Sequence, residues 1–197
     1  MLLPRSATPS EANYPTRHLG LSDLMRTKID TSLSVSIVLY NSPAEQLNTL
    51  LESLSSAIER LYDHYSMGVT PIYLLDNSDQ AIFELEDIKN KNVAFKKNQI
   101  ILSQIRGHGN IGYGRAHNLV LSELVSDFHL ILNPDVILEE DALLRALDIL
   151  INDRSVVMLS PNAKNPLGNK LHLCKRYPSV LIFFIRGIVS SSTKNLW

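Results

Sequence analysis

Cysteine is nearly absent: Cys174 is the single one in 197 residues. One thiol excludes an internal disulfide framework and any zinc site built on several thiolates, and it fits a reducing compartment. An excess of charge of either sign is missing too. Nineteen Lys and Arg stand against 20 Asp and Glu, a net charge of -1, whereas a general nucleic-acid binder carries a basic excess, so no nucleic-acid partner is expected. No apolar stretch approaches the ~18 residues of a membrane-spanning helix. The start Met1-Leu2-Leu3-Pro4-Arg5 lacks the apolar centre of a signal peptide, and the expected location is cytoplasmic. Carboxylates run out early, since no Asp or Glu follows Asp153. What is present is an ordinary globular mix, 45% hydrophobic and 20% charged, enough to bury a core without disulfide or metal staples.

Residues 1–32 carry Pro4, Pro9 and Pro15 without a sustained period and predict an irregular leader, with one short helix around Leu21–Lys28. From there the texture alternates. Val35-Ser36-Ile37-Val38-Leu39-Tyr40 predicts a buried strand. Ser42-Pro43-Ala44-Glu45 predicts a capping box with proline at the first helical position, and Leu47, Leu50, Leu51, Leu54, Ile58 and Leu61 recur at helical spacing behind it. Further strands are predicted at Pro71–Leu75, Gln99–Ile105, Phe128–Leu132 and Val156–Leu159. Helical stretches lie between them at Ile82–Ile88, around Ala116–Leu124, and from Glu139-Glu140-Asp141 through Ile151. Strands and helices in alternation predict an α/β fold: a mostly parallel sheet with helices on both faces, a Rossmann-like nucleotide-binding half. The expected organisation is the leader 1–32, an α/β domain over 33–162, and the start of a further region over 163–197.

Ligands of open α/β sheets bind beyond the carboxyl ends of the strands. Those ends carry Tyr40-Asn41, Asp76-Asn77-Ser78, Arg106-Gly107-His108-Gly109 and Asn133-Pro134-Asp135. Each segment alone also suits an ordinary turn. Four of the eight glycines fall between Gly107 and Gly114. Gly107–Gly112 satisfies G-x-G-x-x-G between a strand and a helix, which keeps an NAD-dependent oxidoreductase among the readings. Asp135, in a stiff proline turn, suits a hard divalent cation shared with a diphosphate.

Taken together, these segments resemble the family-2 glycosyltransferases of the GT-A fold. Within them they are similar to the rhamnosyltransferase-like enzymes of bacterial surface-polysaccharide assembly. The resemblance is carried by Val35–Asn41, Leu75-Asp76-Asn77-Ser78, Asn110–Asn118, Leu132–Val136 and Lys175-Arg176-Tyr177-Pro178-Ser179, and runs from about residue 33 to 187. It implies that Tyr40 contacts the base of a nucleoside-diphosphate sugar and that Asp76 accepts the base's imide N–H, as an acceptor-only carboxylate does. It implies that Gly112 and Asn118 shape the loop and helix beneath the nucleotide, with Asn41, Asn77 and Arg115 completing the set. Asp135 takes the position that binds Mg²⁺ or Mn²⁺. Asn133 departs from the first Asp of many relatives, and His117 from an Arg.

The implied reaction is displacement with inversion at the anomeric carbon, from a rhamnosyl-type donor to a glycan or lipid-linked acceptor. The later acidic motif that supplies the family's general base does not occur in this sequence. The chain is therefore expected to be the donor-binding half of a longer enzyme, binding nucleotide without turnover. A non-catalytic nucleotide-binding partner module is the alternative. Residues 175–194 place Val180–Ile185 between Lys175, Arg176, Arg186 and Lys194. That suits either the core of the complete domain or a peripheral contact at the inner face of a membrane.

Overall fold

Side chains alternate across a strand, so Leu33–Leu39 sends Leu33, Val35, Ile37 and Leu39 to one face and Ser34, Ser36 and Val38 to the other. In the computed structural model this segment (β3) is fully buried at the centre of a five-stranded sheet. The structure describes residues 2–4, 28–80, 83–91, 99–165 and 167–171. The other strands of the sheet are β1 (Leu2–Pro4), β5 (Thr70–Asp76), β6 (Ile100–Ile105) and β7 (Phe128–Leu132). Their order is β1-β7-β3-β5-β6; β3, β5, β6 and β7 are parallel, while β1 pairs antiparallel with β7. Leu2–Pro4 therefore lies at one edge of the sheet, where an irregular leader was expected. A separate parallel pair joins β2 (Ile29–Thr31) to β4 (Tyr65–Met67), also outside the expected set.

The dry face belongs to α1 (Ala44–His64) and α4 (Ala142–Asn152). Leu47, Leu50, Leu51, Leu54, Ile58 and Leu61 of α1 pack with Leu143, Leu147 and Leu150 of α4 against the odd-numbered side chains of β3. Removing a side chain as enclosed as Leu54 should cost about 2–5 kcal/mol. The α1 start differs from the expected capping box: the cap residue is Pro43 and has no side-chain cap bond, and Ser42 Oγ instead accepts the N–H of Tyr40 at 3.3 Å. The weak amphipathic stretch becomes α2 (Leu85–Lys91).

Val156–Leu159 is not a fifth strand. Leu159 makes one isolated bridge, to Leu2, while Val157 and Met158 are exposed. β1 takes the place beside β7, and this stretch meets the sheet only at the outer edge of β1, where Leu2 and Leu159 exchange backbone hydrogen bonds at 3.1 and 3.2 Å.

The opposite face of β3 is polar, and α3 (Tyr113–Leu121) covers it. There Ser126 Oγ meets Ser34 Oγ at 2.6 Å, and Ser34 Oγ meets His129 Nδ1 at 2.7 Å. His129 Nε2 reaches Ser36 Oγ at 2.7 Å, and Ser36 Oγ reaches His117 Nδ1 at 2.7 Å. Ser36 has one hydroxyl proton, so it donates to one imidazole and accepts from the other; the whole ladder must then run in one sense. His117 Nε2 is buried without a partner. The sense that leaves a bare lone pair there, rather than an orphaned N–H, has Nδ1–H of His117 donating to Ser36 and Ser36 donating to His129. Burial pushes both imidazoles down from 6.5 to about 4, so both are neutral at pH 7.

The chain divides into Met1–Pro161 and Asn162–Trp197. The described part of the second unit holds a short antiparallel pair, β8 (Ala163–Lys164) with β9 (Lys170–Leu171). Among the described residues no helix is long and apolar enough to cross a membrane. The segment 175–194, Cys174 and most of the expected Leu21–Lys28 helix lie outside the described residues.

Candidate functional site

Strand order places the site. From β3 the chain builds outward through β5 to β6, then returns to lay β7 on the other side of β3. The order reverses between β3 and β7, and a crevice opens beyond the carboxyl ends of two such strands. At that point lies a cleft of about 420 Å³. Tyr40 and Ser42 reach it from the end of β3, Asn133, Pro134 and Asp135 from the end of β7, and Tyr113 from the first turn of α3. Val38, Gln46, Asn77 and Asn110 complete the lining.

The rim is stitched by hydrogen bonds between strand ends. Asn77 N–H donates to Leu39 O at 2.9 Å, and Asn41 N–H donates to Ser78 Oγ at 2.8 Å. Asn41 itself sits at φ 50, a left-handed turn that asparagine tolerates. Asp76 is 3% exposed. Its Oδ1 accepts the Ser78 N–H at 3.0 Å and its Oδ2 accepts Gln104 Nε2 at 3.2 Å. Asn77 Oδ1 accepts a hydrogen bond from His108 Nε2 at 2.9 Å, which fixes the proton on that nitrogen and leaves the buried Nδ1 without a partner.

The glycine loop over 107–112 is held by Asn110, whose Oδ1 accepts the Gly112 N–H at 3.1 Å. Gly112 caps α3 at φ 86 and ψ 160, a region essentially reserved for glycine. A Cβ there would meet nothing within 4 Å, so the cost of a side chain is backbone strain alone. Gly112→Ala is expected to lose about 1–3 kcal/mol in urea denaturation; a loss under about 0.5 kcal/mol, the scale of an ordinary surface change, would show that the loop relaxes freely.

The structure brings Tyr40, Asn77 and Asp135 to the cleft. Tyr40 is 53% exposed, with an aromatic face available to a ligand, and Asp135 is exposed. Asn41, Asp76 and Gly112 lie in the surrounding rim, bonded as above. Arg115 and Asn118 are exposed on α3 and are not among the lining residues, because Ala116, His117 and Val120 give that helix its sheet-facing side. His117 stands beneath the cleft as a neutral member of the buried ladder.

The sequence motifs included Tyr113 without giving it a role. Its phenol donates to Asn133 Oδ1 at 2.8 Å, and its ring meets the His117 imidazole edge-on with centroids 4.5 Å apart. Partial burial, followed by the charge of Asp135, raises the phenol above its usual 10, so it remains a donor.

The glycine loop does not meet the geometry of a dinucleotide fingerprint. That motif wants its loop and its acid on neighbouring strands of one βαβ unit. Here the loop follows β6 and Asp135 follows β7, and β5 and β3 lie between them. The first strand-to-helix turn of the sheet, Tyr40-Asn41-Ser42-Pro43, has no glycine.

Among the described residues no group of three or more His, Cys, Asp or Glu could hold a metal ion. The carboxylate in the cleft lining is Asp135. Such a donor set fits a cation that takes most of its oxygens from a bound diphosphate and water, as Mg²⁺ does, and does not fit an all-protein cage.

Over 62% of its length the chain is similar to the crystal structure of S. aureus TarS 1-349, with a TM-score of 0.45 and 19% sequence identity, and it covers 33% of that chain. No protein-family model matches the sequence, and no curated protein matches it.

Proposed function

We propose that the cleft between β3 and β7 binds a nucleoside-diphosphate sugar as the donor of a glycosyl transfer. The observation that carries this reading is the meeting of an exposed aromatic, Tyr40, with the exposed carboxylate of Asp135 across one crevice at the reversal of strand order. An exposed ring suits a base, which stacks on it. A single carboxylate suits a cation shared with phosphates.

In this reading Tyr40 takes the base, with Asp76, Asn77 and Ser78 forming the wall behind it. Asp135 holds Mg²⁺ or Mn²⁺, and that ion supplies charge stabilisation to the departing diphosphate. Asp135 acts by fixing where the diphosphate lies, and Pro134 stiffens the turn that carries it. A rhamnosyl-type sugar, inversion at the anomeric carbon and a glycan or lipid-linked acceptor are the finer parts of the proposal; they rest on the sequence resemblance.

Calorimetric titration with UDP, dTDP, GDP and NAD, each with and without Mg²⁺, tests the reading. One of the three diphosphates should bind, more tightly with the ion, and NAD should not. Asp135→Asn, a change at an exposed turn, should leave the melting temperature unchanged. It should also weaken metal-dependent binding about tenfold or more, the loss of one charge-assisted contact. Binding that ignores both EDTA and the Asp135 change would remove the metal from the proposal. Binding of NAD alone would replace it with the oxidoreductase reading.

A further inference from the structure

Tyr113 is fixed at two points. Its ring rests on His117, a side chain 2% exposed and itself bonded to Ser36. Its hydroxyl donates to Asn133 Oδ1 at 2.8 Å. A carboxamide has one oxygen and two N–H donors. With the oxygen engaged by the phenol, the amide of Asn133 keeps its donors for whatever enters the cleft that both residues line.

We infer that Tyr113 is a positioning residue that sets Asn133 as a hydrogen-bond donor to a phosphoryl oxygen of the ligand, so that within Asn133-Pro134-Asp135 the cation belongs to Asp135 alone. This rests on the diphosphate reading of the cleft. It divides the turn into two functions. The first residue contacts the anion directly, and the third contacts it through the ion. An aspartate at position 133 would offer only acceptors and would repel a phosphate in the absence of metal. The asparagine, with its oxygen occupied, offers the opposite chemistry at the same place. The device reaches back into the core, because the ring that holds the amide is itself held by the buried Ser36–His117 pair.

The test is a double-mutant cycle on nucleoside-diphosphate affinity, measured by calorimetry at two fixed Mg²⁺ concentrations with the corresponding nucleoside as control. Tyr113→Phe keeps the ring and its contact with His117 and removes only the hydroxyl. Asn133→Ala should weaken diphosphate binding about tenfold, the scale of a donor lost to a charged oxygen. Tyr113→Phe should weaken it by about threefold to tenfold, on the scale of a single neutral hydrogen bond. Nucleoside binding and the response to Mg²⁺ should be unchanged in both. The double variant should be no weaker than Asn133→Ala, because Tyr113 acts through that amide. Additive losses, or a Tyr113→Phe protein that binds like the parent, overturn the inference.

A second readout needs no ligand. The side-chain amide protons of Asn133 in a ¹H–¹⁵N spectrum should shift in Tyr113→Phe, and an unmoved pair also overturns the inference. If the parent protein binds no nucleoside diphosphate while the Asn133 signals shift as expected, the diphosphate reading fails and the hold of Tyr113 on Asn133 stands.

Discussion

Acidification from pH 7 to about 4 should remove roughly 6 kcal/mol of the stability of this fold, with the loss beginning near pH 6.5. The cause is the ladder on the polar face of β3. His117 and His129 are 2% and 5% exposed, and burial pushes both down from 6.5 to about 4. The unfolded chain therefore binds two protons across this window that the folded chain refuses. Stability rises with pH wherever the unfolded state holds more protons, so it falls as pH drops from 6.5 towards 4. Each histidine contributes a slope approaching ~1.4 kcal/mol per pH unit and a total of about 3 kcal/mol over the shift. Two such losses rival the whole stability of a small domain, commonly ~5–15 kcal/mol. Below the folded values the contribution ends, because both states are then protonated.

The ladder also determines why the protons are refused. A proton added to His129 turns the Nε2 that accepts from Ser36 into a donor facing a donor, and one added to His117 creates a charged N–H at the buried Nε2, where nothing accepts it. Urea denaturation at half-unit steps from pH 7 to 4.5 measures the slope, and the upper part of the range precedes most carboxylate titration. His129→Gln should be less stable than the parent at pH 7, yet flatter against pH by about one histidine's worth. A parent protein whose unfolding free energy is level from pH 7 to 5 would show that the two rings are not held neutral.

Much of the sheet is written in the chain, and the parts that are not have identifiable physical causes. The four parallel strands and their helices follow from apolar runs punctuated by Asn, Asp, Gly and Pro, residues whose turn chemistry is local. What joins the edges is not local. Leu2-Leu3-Pro4 has no strand pattern of its own, and it is held as a strand by pairing with β7 on one side and by the Leu2–Leu159 bridge on the other. Val156–Leu159 has β-branched residues, yet it meets the sheet at Leu159 alone, on the outer edge of β1. Period-two alternation of Leu33, Ser34, Val35, Ser36 and Ile37 was visible in the sequence and marks a face that is not apolar, although the run as a whole suggests a strand dry on both sides. Nothing in the sequence alone pairs Ser36 with both His129 and His117, since the three come together only through strand order and the packing of α3.

The cleft shows the same division. Tyr40 and Asp135 stand out because they end strands, whereas Tyr113 opens a helix and looks like one more aromatic until Asn133 and His117 are placed on either side of it. Arg115 and Asn118 belong to the same motif as Tyr113. They leave the cleft because 3.6 residues per turn carry them round to the solvent side.

Replacing Asp76 by alanine should cost about 3–5 kcal/mol. The carboxylate is buried, and both its oxygens are used: Oδ1 takes the Ser78 N–H and Oδ2 takes Gln104 Nε2. Hydrogen bonds to a charged group are typically worth ~1.5–3 kcal/mol each, and their loss leaves the buried Ser78 N–H and the half-buried Gln104 amide without their partner. The Ser78 turn also holds Asn41 through its hydroxyl, so its loosening would reach the end of β3.

A stability loss alone does not separate a turn residue from one that also meets a nucleotide base, but Asp76→Asn does. Its amide oxygen can still accept the Ser78 N–H. Gln104 can rotate its own amide by half a turn to present oxygen to the new NH₂, so the variant should lose under about 1.5 kcal/mol, a single neutral hydrogen bond's worth. What it lacks is an acceptor-only group for an imide N–H. If Asp76 accepts that proton from the base, UDP, dTDP or GDP affinity should fall about tenfold in the asparagine variant while the melting temperature stays near the parent's. Unchanged affinity in a folded Asp76→Asn protein would assign the carboxylate to the turn alone. The base would then be held in the cleft by Tyr40 and its other lining side chains.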